Sequence, residues 1–359
     1  MISNSYCIIM AGGIGTLAST AFLEMLLDAP VEQLDVEKCV AAWKSWEETE
    51  KDIYRIFDND HIFIVTGAEY ENITHEQIPE LPLKNILKEP LRRNTATCIT
   101  YAAVKIRKID PEATMVVIPS DHFITNDEAY LNDLQSGIDF VGQSGGLLTI
   151  GIEPSRAETQ YGYIQIKNQD KNERISAVKT FTEKPDMDLA IKFYESGEFL
   201  WNAGIFIWKV ADILEEIKKH IYDLYALFEK IPAFNTPQEQ EYINNIYGEC
   251  PNLSIDVGIM EKSNHVYVLK GQFGWSDVGT WHAFHALCPK DENNNSTNSQ
   301  KVLFRNSRNC IVNVPYRKKV IVHGAEDLII AENKNYLMIC HIKDEDHIKH
   351  FEKQLKYKK

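Results

Sequence analysis

The stretch that decides the fold is Ile8-Ile9-Met10-Ala11-Gly12-Gly13-Ile14-Gly15-Thr16, an apolar run that leads directly into a glycine-rich turn. Glycine lacks a Cβ atom, so the backbone N–H groups of such a turn can approach an anion closely. The stretch therefore predicts a phosphate cradle at the carboxyl end of a first strand. A tight strand-to-helix turn that binds no ligand is compatible with the same residues.

Two familiar phosphate-binding patterns fit this turn poorly. Residues 13–18 match the dinucleotide fingerprint, and Asp35 lies at about the expected distance. That fingerprint places the acidic residue at the end of a second apolar strand, and residues 31–35 make a poor strand. A Walker-type loop is excluded because no Gly-Lys-Ser/Thr follows the glycines.

Outward from this stretch, short apolar runs alternate with longer amphipathic ones, as in strands joined by crossover helices. The predicted strands are residues 6–10, 61–66, 115–119, 147–152, 162–166 and 203–208, and the predicted helices are 94–109 and 128–141. We therefore expect an α/β fold, with a Rossmann-like, mostly parallel sheet flanked by helices. In such sheets ligands bind beyond the carboxyl ends of the strands.

The last part of the chain has a different pattern. Residues 290–300 are polar throughout, which predicts a linker or an exposed loop. Four short β-rich pieces follow at 310–314, 319–323, 327–331 and 336–341, and a final amphipathic segment at 344–355 predicts a helix. We expect a large α/β domain over 1–289, which would carry the site, and a small β-rich, β-helix-like domain over 301–359. Either a meander or a few coils of a β-solenoid would account for these pieces.

Composition excludes several classes of protein. The chain has 359 residues with 52 acidic and 38 basic side chains, a formal charge of −14, which disfavours a nucleic-acid binder. Its seven cysteines are scattered and form no CxxC pair, so we expect reduced thiols. The first six residues carry no basic charge and no long apolar segment occurs, so we expect a cytoplasmic protein without membrane contact.

A second motif, Val116-Val117-Ile118-Pro119-Ser120-Asp121-His122, ends an apolar strand in a carboxylate. A carboxylate at the end of a strand in an α/β protein is well placed to hold a divalent cation against phosphates. The same Asp121 is equally compatible with a helix N-cap. His122 is better explained as a hydrogen-bonding neighbour, since Mg²⁺ prefers oxygen ligands.

Further motifs have both functional and structural interpretations. Asn94 is compatible with a helix cap, the Tyr and Trp residues with core packing, and Glu183-Lys184 with a solvated pair worth under about 1 kcal/mol. The motifs are Glu89-Pro90 with Arg92-Arg93-Asn94-Thr95-Ala96, Gln160-Tyr161-Gly162-Tyr163, Phe181-Thr182-Glu183-Lys184-Pro185, Trp201-Asn202-Ala203-Gly204 and Trp275-Ser276-Asp277-Val278-Gly279-Thr280-Trp281.

Taken together, these motifs resemble the sugar-1-phosphate nucleotidyltransferase family, and within it the bacterial guanylyltransferases that act on mannose 1-phosphate. The resemblance runs colinearly over roughly residues 5–285. Its matching stretches are 10–16, 89–96, 119–122, 161–163, 181–185, 199–208, 254–262 and 273–281. In that family a Rossmann-like domain precedes a small β-helical part, which agrees with the pattern above.

The resemblance implies an activity and a set of site residues. Mannose 1-phosphate and GTP would give GDP-mannose and pyrophosphate, with Mg²⁺ held by the metal carboxylates Asp121 and Asp277. Positioning and charge neutralisation would supply most of the catalysis, and Lys184 would contact the sugar phosphate. The implied nucleotide-binding residues are Ala11, Gly12, Gly13, Gly15, Thr16, Glu89, Asn94, Thr95 and Ser120. The implied sugar-binding residues are Tyr161, Gly162, Glu183, Asn202 and Asp256.

The sequence departs from the family pattern after the glycine turn. The family continues with an Arg and later a Lys that neutralise the triphosphate, whereas residues 17–24 here are Leu-Ala-Ser-Thr-Ala-Phe-Leu-Glu. Three explanations are open: an active enzyme with compensating cations such as Lys38, Lys44 or Arg92, a non-catalytic relative that binds a nucleotide sugar and regulates a partner, or a discrepancy between residues 17–58 and the natural polypeptide. Loss of one preorganised charge typically costs about 10²- to 10³-fold in rate.

The expected partners are therefore small molecules, GTP and mannose 1-phosphate. A homodimer is also expected, because the small β-rich part has few residues to cover its own apolar face.

Overall fold

The computed structural model describes residues 4–11, 53, 55–120, 122–167, 174–277, 281–282, 285, 288–315, 317–333 and 336–356. These residues form two compact units. The first is built from the described residues of Met1–Gly13, Trp46–Ser120 and Ile124–Trp275, and the second mainly from those of Ser276–Lys359.

The first unit is organised around a nine-stranded sheet. Its strands are β1 (Ser5–Met10), β2 (Ile62–Gly67), β3 (Ile86–Glu89), β4 (Thr114–Pro119), β6 (Leu147–Ile152), β7 (Tyr163–Ile166), β8 (Ile175–Thr182), β9 (Phe199–Lys209) and β10 (Val266–Gly271). Their order in the sheet is β3-β2-β1-β4-β9-β6-β10-β8-β7. Strands β1 to β4 are parallel neighbours, and β8 and β9 run opposite to the other strands of this sheet. Two short strands, β5 (Phe123–Ile124) and β11 (Trp275–Ser276), lie outside it.

Helices connect these strands. They are α1 (Glu71–Gln77), α2 (Asn94–Ile109), α3 (Asp127–Ser144), α4 (Met187–Ser196), α5 (Val210–His220), α6 (Tyr222–Phe228) and α7 (Pro237–Ile246). Local signals explain where several begin. The side chains of Asn126 and Asp186 accept hydrogen bonds from the first turns of α3 and α4, and Pro237 opens α7 after Thr236. A five-residue π-helix, Asp256–Met260, precedes β10.

Apolar residues cover both faces of the sheet. In β1, Ile8 belongs to one buried cluster and Ile9 to another, because successive strand residues point to opposite faces. The first cluster joins the sheet to α2, α5 and α6, and the second joins it to α3. Strands buried on both faces read as continuous apolar runs, which is why β1 and β4 are evident in the sequence.

The α/β fold class predicted from the sequence is confirmed. The bounds of β6 and α2 agree with the predicted 147–152 and 94–109. Strands β3, β8 and β10 were not predicted, since β3 has only four residues and β8 interleaves Ser, Lys and Thr with its apolar positions. The parallel arrangement holds for β1 to β4, whereas β9 is antiparallel to both of its neighbours β4 and β6.

The second unit contains a short parallel β-solenoid. Strand β12 (Ser296–Thr297) pairs in parallel with β14 (Ile311–Asn313), which pairs in parallel with β16 (Leu328–Asn333), while β13 (Val302–Arg305) pairs in parallel with β15 (Val320–His323). Equivalent residues in β13 and β15 are 18 positions apart, as Val302 and Val320 are. These parallel pairs favour the solenoid interpretation over the meander. Strand β17 (Tyr336–His341) then returns antiparallel to β16, and α8 (Ile348–Lys356) follows.

The polar segment 290–300 is part of this β-solenoid. Asn295, Ser296 and Ser299 are each buried, and Asn295 donates to the carbonyl oxygen of Ser307. The prediction of an exposed loop is therefore wrong at these positions. The physical reason is that the buried polar side chains of a β-solenoid form hydrogen bonds with neighbouring turns. This segment therefore packs without apolar residues.

The described cysteines are free thiols: Cys7, Cys98, Cys250, Cys288, Cys310 and Cys340. In the part of the chain that the structure describes, we find no helix with the length and apolar character needed to cross a membrane.

Candidate functional site

Two of the predicted nucleotide-binding residues, Ala11 and Ser120, directly follow the carboxyl ends of β1 and β4. The N–H of Ala11 donates to Val65 O at 2.8 Å, and the N–H of Ser120 donates to Met10 O at 3.2 Å. The hydroxyl of Thr66 donates to Ala11 O at 3.1 Å. Ala11 and Ser120 therefore lie at the same edge of neighbouring parallel strands. Gly12, Gly13, Gly15 and Thr16 lie outside the described residues.

Glu89 ends β3 at that same edge and is buried. The hydroxyl of Tyr247 donates to Glu89 Oε1 at 3.0 Å. Burial raises the pKa of Glu89 to about 7, against the lowering effects of the Tyr247 hydrogen bond and the charge of Arg92. The Tyr247 hydroxyl thus orients a carboxyl that gains or loses its proton near neutral pH, and its ionised form accepts hydrogen bonds.

Asn94 and Thr95 form the start of α2. Asn94 has a left-handed backbone, with φ of 64°, and its side-chain oxygen accepts the N–H of Thr95 at 2.8 Å. The hydroxyl of Thr95 in turn accepts the N–H of Ile255 at 2.8 Å. Asn94 is the first residue of this helix, whose N-cap is Arg93 and which has no side-chain cap hydrogen bond, so the interpretation of Asn94 as the helix cap is wrong. Thr95 ties the helix to the residue just before Asp256.

The predicted sugar-binding residues converge at the end of the β7–β8 ladder. Tyr163 and Thr182 are the last pair of that ladder, so Gly162 and Glu183 face each other just beyond it. A Cβ atom at Gly162 would lie 2.6 Å from Glu183 Oε2 and 3.3 Å from Asn202 Cβ. The carbonyl oxygen of Gly162 accepts the N–H of Asn202 at 2.8 Å. A larger residue at this position would therefore displace the Glu183 carboxylate.

Asn202 is a polar residue within the otherwise apolar strand β9, and each of its amide atoms has a partner. Its Nδ2 donates to Asp256 Oδ1 at 2.9 Å. Its Oδ1 accepts from the hydroxyl of Thr149 at 3.0 Å and from the N–H of Gly204 at 3.1 Å. This network fixes the amide and aims its donor at the π-helix that carries Asp256.

Two carboxyl groups with raised pKa values lie in this cluster. Burial, and after it the nearby charge of Glu183, raise the pKa of Asp256 to about 7. Burial also raises the pKa of Glu183, while the ammonium of Lys184 opposes that effect. Like charges in a buried site disfavour simultaneous ionisation, so the pair retains a proton more readily than exposed carboxyls do. Perturbed titratable groups of this kind cluster at functional sites.

Lys184 extends from the same turn. Its Nζ lies 3.4 Å from Glu183 Oε1, and 59% of its side chain is exposed, against 18% for Glu183. Its backbone is left-handed, with φ of 43°. The turn therefore presents a half-buried carboxylate and an exposed cation side by side, which suits a ligand that carries both hydroxyl groups and a phosphate.

Tyr161 supports this cluster from an aromatic layer. Its ring packs edge-on against Trp201 at 5.0 Å and Trp275 at 5.2 Å between centroids, and it is buried. The packing of these Tyr and Trp residues therefore agrees with the interpretation that they belong to the core. The role of Tyr161 in sugar binding stays a prediction.

The metal prediction falls partly on residues that the structure does not describe. Asp121 lies outside the described residues, whereas Asp277 is described and partly buried. Across the described ranges, no three His, Cys, Asp or Glu side chains are grouped closely enough to hold a metal ion. That Asp121 and Asp277 bind one cation together stays a prediction.

Sequence reasoning missed residues that complete these arrangements. Tyr247 holds Glu89 from 158 positions away, and no local pattern announces it. Glu261, which accepts the N–H of Glu183 at 3.0 Å, lies inside the matching stretch 254–262, so the sequence did contain a signal for it. Thr149 sits in β6, where its hydroxyl interrupts an apolar strand.

Comparison with known proteins gives a consistent picture. The family model described as "Nucleotidyl transferase" matches residues 57–294. The alginate biosynthesis protein AlgA of Pseudomonas putida KT2440 is 34% identical over 79% of this chain, and the mannose-1-phosphate guanylyltransferase of Klebsiella pneumoniae is 32% identical over 77%. The chain spans 59% of the length of each of these relatives.

A crystal structure described as mannose-1-phosphate geranyltransferase from Thermus thermophilus has the same fold. It is 24% identical, has a TM-score of 0.79, and is matched over 98% of this chain and 99% of its own. The family match begins at residue 57, so the glycine turn and the divergent stretch after it lie outside the matched segment.

Proposed function

The chain belongs to the nucleotidyl transferase family, and we propose that it acts on a sugar 1-phosphate, transferring GMP from GTP to mannose 1-phosphate. A phosphate oxygen of the sugar attacks the α-phosphorus of GTP in line. A new P–O bond forms there, the bond to the bridging oxygen breaks, and pyrophosphate leaves. The attacking phosphate is already ionised, so no general base is needed.

The observation that carries this proposal is the cluster of Gly162, Glu183, Asn202 and Asp256. A hexose offers hydroxyl groups that both donate and accept hydrogen bonds. The cluster supplies the Asn202 amide, which Thr149 and Gly204 hold in place, together with the buried carboxyl of Asp256 and the half-buried carboxyl of Glu183. Preorganised polar groups of this kind bind polar ligands without rearranging.

Lys184 supplies the charge that a sugar phosphate needs. Its exposed ammonium lies 3.4 Å from Glu183 Oε1, so a hexose held by the carboxylate would carry its phosphate close to the cation. Orientation of one polyanion against another is the main contribution that a protein can make to phosphoryl transfer. We therefore assign Lys184 to the phosphate of the sugar substrate.

Glu89 supports the choice of a guanine nucleotide. A guanine base carries N–H donors at N1 and N2, and a carboxylate can accept both, whereas adenine presents an acceptor at N1. Glu89 is buried, with Oε1 oriented by Tyr247. The strand ends that carry Ala11 and Ser120 lie at the same edge of the parallel strands as Glu89, where α/β proteins bind nucleotides.

Magnesium fits the chemistry of the predicted donor set. Carboxylate oxygens together with phosphate oxygens are the ligands that Mg²⁺ prefers. Asp121 and Asp277 would hold it, and it would supply charge neutralisation between the two phosphates.

The test is a pyrophosphate-release assay with purified chain and Mg²⁺, in which GTP, ATP, CTP and UTP are each paired with mannose 1-phosphate or glucose 1-phosphate. We expect the highest kcat/KM for GTP with mannose 1-phosphate. Higher kcat/KM for another pair would overturn the assigned specificity, and absence of turnover with every pair would overturn the proposed activity.

A second candidate function is a regulatory protein that binds a nucleotide sugar without turnover. The observation that favours it is that residues 17–24 carry no Arg or Lys where the resemblance expects cations. Binding of GDP-mannose in a calorimeter, together with no pyrophosphate release, would favour this candidate.

A further inference from the structure

Glu261 makes a contact that ties the π-helix to the sugar cluster. Strand β8 ends at Thr182, so the N–H of Glu183 lies beyond the last residue pair of the β7–β8 ladder. That N–H donates to the side chain of Glu261, at 3.0 Å from Oε1. A side chain 78 residues away in sequence therefore fixes the backbone at the point where the strand becomes the Glu183–Lys184 turn.

This turn requires such support. Lys184 has φ of 43°, a left-handed conformation that is unfavourable for a residue with a Cβ atom. Residues in such conformations persist when their surroundings hold them there, and they concentrate at functional sites. The Glu261 carboxylate is the acceptor that the structure provides at the first residue of the turn.

The π-helix sets the position of Glu261 relative to Asp256. The N–H of Glu261 donates to Asp256 O at 2.9 Å, across the five-residue turn. A Cβ atom at Gly258, within this turn, would lie 2.7 Å from Ile221 Cδ1, so the turn packs closely against its neighbour. The first residue of the π-helix, Asp256, thus contacts Asn202, and the residue directly after the π-helix, Glu261, contacts Glu183. Single π-turns of this kind are frequent at functional sites.

We infer that Glu261 is a positioning residue, which holds the Glu183–Lys184 turn so that the Glu183 carboxylate and the Lys184 ammonium face the sugar 1-phosphate. This inference rests on the proposed function. Glu261 is exposed and acts through the backbone of Glu183, so it is distinct from the groups assigned to contact the ligand.

Two substitutions separate the hydrogen bond from the charge. Glu261→Ala removes the acceptor, whereas Glu261→Gln keeps a side-chain oxygen that can accept the same N–H. Glu241→Ala, in α7, removes an exposed carboxylate elsewhere and serves as the matched control. Hydrogen exchange of the Glu183 amide should be faster in Glu261→Ala than in wild type, and slow again in Glu261→Gln.

The functional readout is the KM for each substrate in the pyrophosphate-release assay. Loss of a hydrogen bond to a charged group is large enough to change the affinity for a ligand about tenfold. We expect Glu261→Ala to raise the KM for mannose 1-phosphate about tenfold, with the KM for GTP unchanged. Glu261→Gln and Glu241→Ala should retain the wild-type KM for both substrates.

The inference is overturned if Glu261→Ala exchanges its Glu183 amide faster yet keeps the wild-type KM for mannose 1-phosphate. It is also overturned if both KM values rise equally, or if Glu261→Gln is as impaired as Glu261→Ala. Should the wild-type chain release no pyrophosphate, the proposed activity fails separately. In that case the dissociation constant for GDP-mannose replaces the KM: it should rise about tenfold in Glu261→Ala and stay at the wild-type value in Glu261→Gln and Glu241→Ala. A wild-type chain that does not bind GDP-mannose overturns the inference.

Discussion

Asn202 and Asp256 meet across 54 residues of sequence, with Asn202 Nδ2 donating to Asp256 Oδ1 at 2.9 Å. The amide belongs to β9 and the carboxyl to the π-helix, so this bond joins the sheet to the element that Glu261 directly follows. Asp256 is buried, which makes the loss of a donor costly.

The first prediction concerns the stability of this bond. Asn202→Ala removes the donor to Asp256, whereas the hydroxyl of Thr149 keeps Ile205 O as an acceptor at 3.1 Å. A buried polar group left without its partner costs about 1–3 kcal/mol. We expect the free energy of unfolding, measured by urea denaturation, to fall by about that amount. Asn132→Ala, at an exposed position in α3, is the control and should change it little. A wild-type unfolding midpoint in Asn202→Ala would contradict the account.

The second prediction concerns pH and Asp256. The pKa of this carboxyl is about 7 in the folded protein, against an ordinary value of 3.8. The folded state therefore binds the proton more tightly than the unfolded chain does. The stability from this group is complete below the ordinary value and is lost as the pH rises toward 7.

Asp256→Asn cannot ionise, so it avoids that loss. We expect its free energy of unfolding to improve relative to wild type as the pH rises from about 4 to about 7. Glu215→Gln, at an exposed site in α5, should keep a constant difference from wild type over the same range. If Asp256→Asn follows wild type in parallel at every pH, the raised pKa of Asp256 is wrong.

The third prediction concerns the close approach at Gly162. A Cβ atom there would lie 2.6 Å from Glu183 Oε2, so Gly162→Ala should push the carboxylate out of place. We expect the KM for mannose 1-phosphate to rise by about tenfold or more with little change in the KM for GTP. Gly142→Ala is the matched control, since nothing lies within 4 Å of its added Cβ. Equal kinetics in the two variants would exclude steric control by Gly162.

The fourth prediction concerns Glu89 and the nucleotide. Its ionised form is the one that accepts hydrogen bonds from guanine, and its pKa is about 7. The affinity for GTP should therefore rise as the pH increases through about 7, and Glu89→Gln should flatten that dependence. Calorimetric titrations with GTP from about pH 6 to about pH 8.5 measure both profiles. A wild-type affinity that is constant over this range would refute the assigned role.

The sequence predicted the fold best where apolar runs were continuous. The strand at 147–152 agrees because Leu147, Leu148 and Ile150 are buried in a central position. Strand β3 was missed because its four residues end in Lys88 and Glu89, which carry no strand periodicity. The direction of β9 could not be predicted, since register and direction depend on contacts distant in sequence.

The site was predictable in its parts and not in its connections. Glu183, Asn202 and Asp256 were identified through a resemblance, each from a local motif. Their meeting depends on Gly162 O, Asn202 and the π-helix, which no local pattern encodes. Tyr247 and Glu89 illustrate the same limit, because 158 residues separate the two partners of one hydrogen bond.

The most direct measurement of the central claim is the binding of GDP-mannose by calorimetry to wild type, Glu183→Ala and Glu215→Ala. A sugar site built around Glu183 predicts that Glu183→Ala weakens binding about tenfold or more, while Glu215→Ala binds as wild type does. Wild-type affinity in Glu183→Ala would contradict the sugar site proposed for this protein.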